Sequence, residues 1–150
     1  VELLKPLIEK GQLSATTLSS VLKETDILSI CVPTPLNKTK NPDISFILSA
    51  SEEIRQHLRP GQLIILESTT YPGTTEEVLI PILQESGLRL EDDFFVAYSS
   101  EREDPNNKDY SIENIPKVIG ASSAAALTVA EQLYHQMVEV HGLFRKMHLI

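Results

Sequence analysis

The chain has 150 residues, 41% of them hydrophobic and 23% charged, with a formal net charge of −8. This length and composition indicate one ordinary folded domain rather than a disordered chain, and the negative charge argues against nucleic acid as a partner, because a polyanion requires a basic face. No apolar run approaches the ~20 residues of a membrane span and no secretory signal is visible, so we expect a cytoplasmic protein without a membrane contact.

Five short apolar runs predict the strands of a sheet. They cover 27–32, 63–66, 94–98, 117–120 and 137–140. Such mostly apolar runs are typical of parallel strands that helices cover on both faces. Since helical patterns alternate with them, the sequence predicts an α/β fold with an incomplete Rossmann-like, doubly wound parallel sheet and helices on both faces.

Helical stripes of apolar residues lie between these runs. They predict helices over 43–58, over 75–86, and from Ser122 or Ser123 to about His135. Asp43 is a favourable first cap, and Thr74 with Glu77 has the spacing of a capping box. Pro81 lies inside the second helix, where it is expected to kink the helix or shorten its first part.

The sequence lacks two parts of a complete dinucleotide-binding domain. A doubly wound dinucleotide domain needs a first strand and a glycine-rich turn, but the six glycines never form G-x-G-x-x-G. We therefore expect 1–142 to be the later part of a Rossmann-type domain, without the pyrophosphate site, and 143–150 to be a divergent tail.

Polar side chains follow three successive strands. Pro33 and Thr34 come after the first, Glu67, Ser68 and Thr69 after the second, and Glu101 after the third. Open α/β sheets bind ligands at the carboxyl ends of their strands, so we expect Thr34, Thr69 and Glu101 to converge on one cleft. The loop from 99 to 116 is long for a connection, and long ordered loops are often functional.

Several of these segments together resemble the UDP-glucose/GDP-mannose dehydrogenase family, and within it the bacterial UDP-N-acetylglucosamine 6-dehydrogenases. The resemblance runs from about Gln12 to His141. The segments that carry it are Ile30 to Leu36, Asn41-Pro42-Asp43, Leu66 to Thr75, Glu101-Arg102-Glu103-Asp104-Pro105 and Ile115 to Gly120. Ser100, Asn106 and the residues after Gly142 depart from the family pattern.

The resemblance implies an enzyme that oxidises the C6 alcohol of a UDP-sugar to a carboxylate in two steps with two NAD⁺, and that assembles as a homo-oligomer. It implies a threonine at position 69 that orders a catalytic water and a glutamate at position 101 that assists proton transfer. It also implies a cofactor cleft lined by Val32, Pro33, Thr34, Glu67, Ser68 and Thr69. The catalytic cysteine of the family belongs to a segment outside these 150 residues.

Two alternatives remain open at this stage. One is a UDP-glucose 6-dehydrogenase, because the acetamido specificity would come mainly from other segments. The other is a non-catalytic remnant that acts as a binding or interaction module. Cys31 lies in an apolar strand, which predicts a buried structural cysteine rather than a nucleophile. The four histidines lack the spacing of common metal sites, so no metal is expected.

Overall fold

A five-stranded sheet in the order β1-β2-β3-β4-β5 organises the chain. The computed structural model describes residues 2, 4–38, 40–101, 117–136 and 140–144. The strands are β1 (Ile27–Ile30), β2 (Gln62–Leu66), β3 (Phe94–Tyr98), β4 (Lys117–Ala121) and β5 (Val140–Phe144). The first four lie where the apolar runs predict them, whereas β5 begins at the end of its predicted range.

The helices also follow the predicted order. They are α1 (Lys5–Glu9), a 3₁₀-helix (Ser19–Glu24), α2 (Ser45–His57), a π-helix (Thr75–Leu79) that continues into α3 (Ile80–Gln84), and α4 (Ala124–Tyr134). The change from π to α occurs beside Pro81, whose ring nitrogen cannot donate to the helix ladder. Within the described part of the chain, no helix is long and apolar enough to cross a membrane.

Side chains at the helix starts confirm one predicted cap and correct two others. Ser123 accepts a hydrogen bond from the amide of Ala126 at 3.1 Å and so caps α4 as predicted. The Asp43 carboxylate accepts from the amide of Ser45 at 2.9 Å, but the cap position of α2 is Ile44, one residue later than predicted. The capping box at Thr74 is wrong, because the Thr74 hydroxyl donates to the carbonyl of Tyr71 and the residue already has helical backbone angles.

Strand direction departs from the all-parallel expectation at one pair. β1, β2 and β3 are parallel, but β4 runs antiparallel to β3, and β5 is parallel to β4. A parallel return needs a crossover that is usually a helix, and the polar sequence between β3 and β4 offers no helical stripe. The Rossmann-like class is confirmed, with a mixed rather than wholly parallel sheet.

Two apolar cores lie on opposite faces of the sheet. On one face, α2 and α3 cover a cluster that includes Ile30, Ile64 and Phe94. On the other face, α4 packs on β2, β3 and β4 through a cluster that includes Ile65 and Ile119. All five residues of β2 are buried, whereas the residues of β1 alternate between exposed and buried.

The predicted domain boundary crosses a strand. β5 extends to Phe144, two residues beyond position 142, the predicted end of the domain. Residues 145–150 lie outside the described residues, so the division at 142 stays a prediction. The same holds for most of the long loop, since residues 102–116 are outside the described ranges.

Candidate active-site cleft

A cleft of about 310 Å³ lies at the carboxyl ends of β1, β2 and β3. Parallel neighbours bring these strand ends to one edge of the sheet, which is where open α/β folds bind ligands. The cleft is lined by Cys31, Val32, Pro33, Thr34, Glu67, Ser68, Thr69 and Glu101. The structure thus brings together all seven of the predicted site residues and adds Cys31.

Ser68 joins the ends of β1 and β2. Its hydroxyl accepts a hydrogen bond from the amide of Val32 at 2.8 Å and donates to the carbonyl of Ile30 at 3.1 Å. The amides of Glu67 and Ser68 also point at the Ile30 carbonyl, each at 3.1 Å. Because Ser68 is buried, these bonds replace lost water contacts and hold the two backbones together beyond the sheet ladder.

The Glu67 carboxylate has three side-chain neighbours in and below the cleft. Its Oε1 accepts a hydrogen bond from the Tyr134 hydroxyl and lies 3.9 Å from Nζ of Lys117. Its Oε2 lies 3.7 Å from Sγ of Cys31. Burial, followed by the neighbouring Glu67 carboxylate, raises the pKa of the Tyr134 phenol above its ordinary value, so Tyr134 stays protonated and acts as the donor.

Thr69 and Glu101 present exposed side chains to the cleft, and Thr34 is half-buried. A hydroxyl and a carboxylate that solvent reaches can hold a water molecule and accept a proton from it, provided that the reacting group comes within hydrogen-bond distance. Thr69 and Glu101 therefore have the chemical types and the accessibility that water activation requires.

The structure corrects the prediction for Cys31 and adds two residues that the sequence did not indicate. The thiol is exposed rather than buried, because β1 ends at Ile30 and α4 does not extend over this edge of the sheet. Sequence reasoning also missed the buried residues Lys117 and Tyr134. The available signal was a lysine at the start of an apolar strand and a tyrosine on the apolar face of α4.

Metal binding has no support among the residues that the structure describes. No group of three or more histidine, cysteine, aspartate or glutamate side chains is placed to hold an ion there. His57 and His135 instead contact their own helices, through the Glu53 carbonyl and the Glu131 carboxylate.

A mixed sheet whose first three strands are parallel, with helices on both faces and a polar cleft at the ends of those strands, defines a Rossmann-type nucleotide-binding domain. Comparison with known families identifies the family to which this domain belongs. Residues 1–138 match the NAD binding domain of the UDP-glucose/GDP-mannose dehydrogenase family. The chain belongs to this family, as the sequence resemblance predicted, and its class of cofactor is NAD.

Relatives and solved structures agree on the family. A UDP-N-acetyl-D-glucosamine 6-dehydrogenase of Pseudomonas aeruginosa is 38% identical over 133 residues, which are 88% of this chain and 32% of that protein. The structure of a UDP-D-ManNAc dehydrogenase from Pyrococcus horikoshii superposes with a TM-score of 0.87 at 34% identity, covering 96% of this chain and 34% of that one.

A ternary complex of GDP-mannose dehydrogenase from Pseudomonas aeruginosa superposes with a TM-score of 0.83 at 29% identity, covering 98% of this chain and 35% of that one. The chain thus spans about a third of the length of the curated relatives that it matches.

The cleft fits one part of NAD better than the other. Its lining contains two carboxylates, Glu67 and Glu101, and neither lysine nor arginine. A lining without basic side chains offers nothing to the charge of a pyrophosphate, which binds at glycine-rich turns and helix N-termini. The sequence has no G-x-G-x-x-G turn, so the described cleft fits the nicotinamide end.

Proposed function

We propose that this chain forms part of an NAD-dependent UDP-N-acetylhexosamine 6-dehydrogenase, which oxidises the sugar C6 alcohol to a carboxylate in two steps with two NAD⁺. The observation that carries the proposal is the cleft, in which the hydroxyl and carboxylate groups of three strand ends meet. The acetamido sugar is favoured because two of the relatives, 38% identical to this chain, are named UDP-N-acetyl-D-glucosamine 6-dehydrogenases.

The stoichiometry of the reaction explains why the cleft needs polar side chains. Conversion of an alcohol to a carboxylate removes four electrons and adds one oxygen atom from water. NAD⁺, when bound, supplies the hydride acceptor. In the proposal, Val32, Pro33, Thr34, Glu67 and Ser68 hold the cofactor, Thr69 holds the water, and Glu101 takes up a proton as the water becomes a nucleophile.

The test requires a complete enzyme. In what we call the restored enzyme, this sequence replaces the matching segment of the Pseudomonas aeruginosa relative. We expect the restored enzyme to form two NADH for each UDP-N-acetylglucosamine and to act more slowly on UDP-glucose. Faster turnover of UDP-glucose would favour a UDP-glucose 6-dehydrogenase instead. No NADH from either sugar, with a folded protein and an active parent relative, would favour a non-catalytic module.

Glu101→Gln in the restored enzyme tests the catalytic assignment. Because general acid–base catalysis contributes typically about 10²–10⁴-fold, we expect kcat to fall by about that factor while the KM for NAD changes little. Glu131→Gln is the matched control, since Glu131 lies on α4 and pairs with His135. Unchanged turnover in Glu101→Gln would leave Glu101 as a loop residue without a part in the chemistry.

A further inference from the structure

At the floor of the cleft, polar side chains form a cluster around the Glu67 carboxylate, which the proposed function places among the residues that hold the cofactor. The other members of the cluster are Cys31, Lys117 and Tyr134, to which the proposed chemistry gives no part. Tyr134 and Lys117 are both buried, and the carboxylate of Glu67 sits on a side chain that is only 19% exposed. Such a network carries a high cost if any member loses its partner.

The cluster joins four elements of the fold. Cys31 directly follows β1, Glu67 follows β2, Lys117 begins β4 and Tyr134 ends α4. Contacts to one carboxylate thus connect the ends of β1 and β2 to the other half of the sheet. At the end of β3, the Ser99 hydroxyl separately donates to the Val118 carbonyl at 3.1 Å.

Lys117 and Tyr134 also contact each other. Nζ of Lys117 lies 5.4 Å from the centre of the Tyr134 ring, within the range of a cation–π contact. The ammonium group balances the charge of Glu67 at ion-pair distance but beyond hydrogen-bond distance. The phenol supplies the direct hydrogen bond. One side chain therefore neutralises the carboxylate and the other orients it.

The neighbours of these residues in the sequence show what the cluster can control. Ser68 and Thr69 come directly after Glu67. A shift of the Glu67 side chain would therefore move the backbone that carries the cofactor-facing residues. We propose that Tyr134 and Lys117 are positioning residues, which hold Glu67 and thereby set the cofactor cleft. This inference rests on the proposed function, but its first test does not.

Cys31 provides a readout that is independent of enzyme activity. It is the only cysteine in the 150-residue chain, it is exposed, and its sulfur lies 3.7 Å from Glu67. Its rate of reaction with an uncharged maleimide therefore reports on the position of the carboxylate. We expect Glu67→Gln to raise the rate severalfold, because the thiol then loses the charged acceptor of its hydrogen bond.

Tyr134→Phe is the decisive variant of the chain. The substitution removes the hydroxyl that holds the Glu67 carboxylate. We expect this carboxylate to move away from the Cys31 sulfur, so that the rate of the maleimide reaction also rises. Tyr98→Phe is the matched control, since Tyr98 packs against the core on the opposite face of the sheet, and its rate should equal that of the parent. A parental rate in Tyr134→Phe, or in Glu67→Gln, would overturn the proposal. Circular dichroism establishes that each variant is folded.

Steady-state kinetics of the restored enzyme provide a second test of the positioning role. We expect Tyr134→Phe and Lys117→Met each to raise the KM for NAD by about three- to tenfold, the size of one typical hydrogen bond, with kcat within about twofold. A purely structural role would lower the amount of folded enzyme and leave KM unchanged, which would overturn the proposal. If Tyr134→Phe fails to fold, Lys117→Met decides. An inactive restored enzyme would refute the proposed function, and the thiol rates would still decide this inference.

Discussion

Strands β1 and β2 are similar in sequence and different in environment. Both are mostly apolar, and they pair in parallel register, with Ile27 beside Leu63 and Ser29 beside Ile65. Every residue of β2 is buried between α2 and α3 on one face and α4 on the other. In β1, Leu28 and Ile30 are buried, whereas Ile27 and Ser29 are exposed.

The difference shows that an apolar run predicts a strand but not how many of its faces are covered. β1 lies at the end of the sheet order, and its face on the α4 side carries Ile27 and Ser29, followed by Cys31. An edge strand with unpaired amides and an apolar face is a template for association.

The largest effect concerns the cofactor. β2 supplies its strand end to a formed cleft, but nothing in the 150 residues supplies a glycine-rich turn beside β1. We expect the chain alone to bind NAD more weakly than about 1 mM, at least about 4 kcal/mol less favourably than micromolar binding. Calorimetric titration checks this, with the restored enzyme as the positive control. Micromolar binding by the monomeric chain would show that the turn is unnecessary.

Replacing one isoleucine of each strand by alanine should destabilise the protein far more in β2 than in β1. Ile65 in β2 is 1% exposed and Ile27 in β1 is 39% exposed. We expect Ile65→Ala to lower the free energy of unfolding by about 2–5 kcal/mol, because it leaves a cavity in a packed core, and Ile27→Ala to lower it by under about 1 kcal/mol. Urea denaturation measures both. Equal losses would mean that the outer face of β1 is covered in solution.

Self-association should depend on the open face of β1. We expect Ile27→Lys to weaken association by about tenfold, or about 1.4 kcal/mol, because a charge on an edge strand opposes pairing. The control is Val129→Lys on α4, where the side chain is 37% exposed, and sedimentation velocity is the measurement. An equal effect of both substitutions would point to general charge repulsion rather than to the β1 edge.

The smallest effect concerns α2, which covers the buried face of β1. Hydrogen bonds from Arg55, followed by one from Gln56, lower the pKa of Glu52 from 4.5 to about 2. A lowered pKa in the folded state stabilises the fold above pH 4.5, and this contribution is lost as the pH falls toward 2. The melting temperatures of the parent and Glu52→Gln should therefore converge between pH 5 and 2. A difference that persists at pH 2 would contradict the ion pair.

Local patterns in the sequence were sufficient for most of the fold. The apolar runs located β1 to β4, and Ser123 marked the start of α4, because these features depend on residues close in the chain. The reversed direction of β4 depends on pairing between distant segments, which no local pattern records. The exposure of Cys31 likewise depends on which helix covers which strand.

The cleft was partly predictable for the same reason. Thr34, Thr69 and Glu101 each follow a strand, and parallel strands bring their ends together. Tyr134 and Lys117 were not predictable, because each comes from an element whose position beside Glu67 results from the order and direction of strands. Polar side chains at strand ends can be read locally, but their buried partners cannot.

The reversal of β4 has an electrostatic consequence for the cleft. In the antiparallel register Tyr98 pairs with Gly120, so the first residue of β4, Lys117, lies at the same end of the sheet as the last residues of β3. A parallel β4 would carry this ammonium group to the opposite end, roughly the length of a strand away, and would leave Glu67 without its counter-ion. The direction of one strand thus decides whether the floor of the cleft is neutral or anionic.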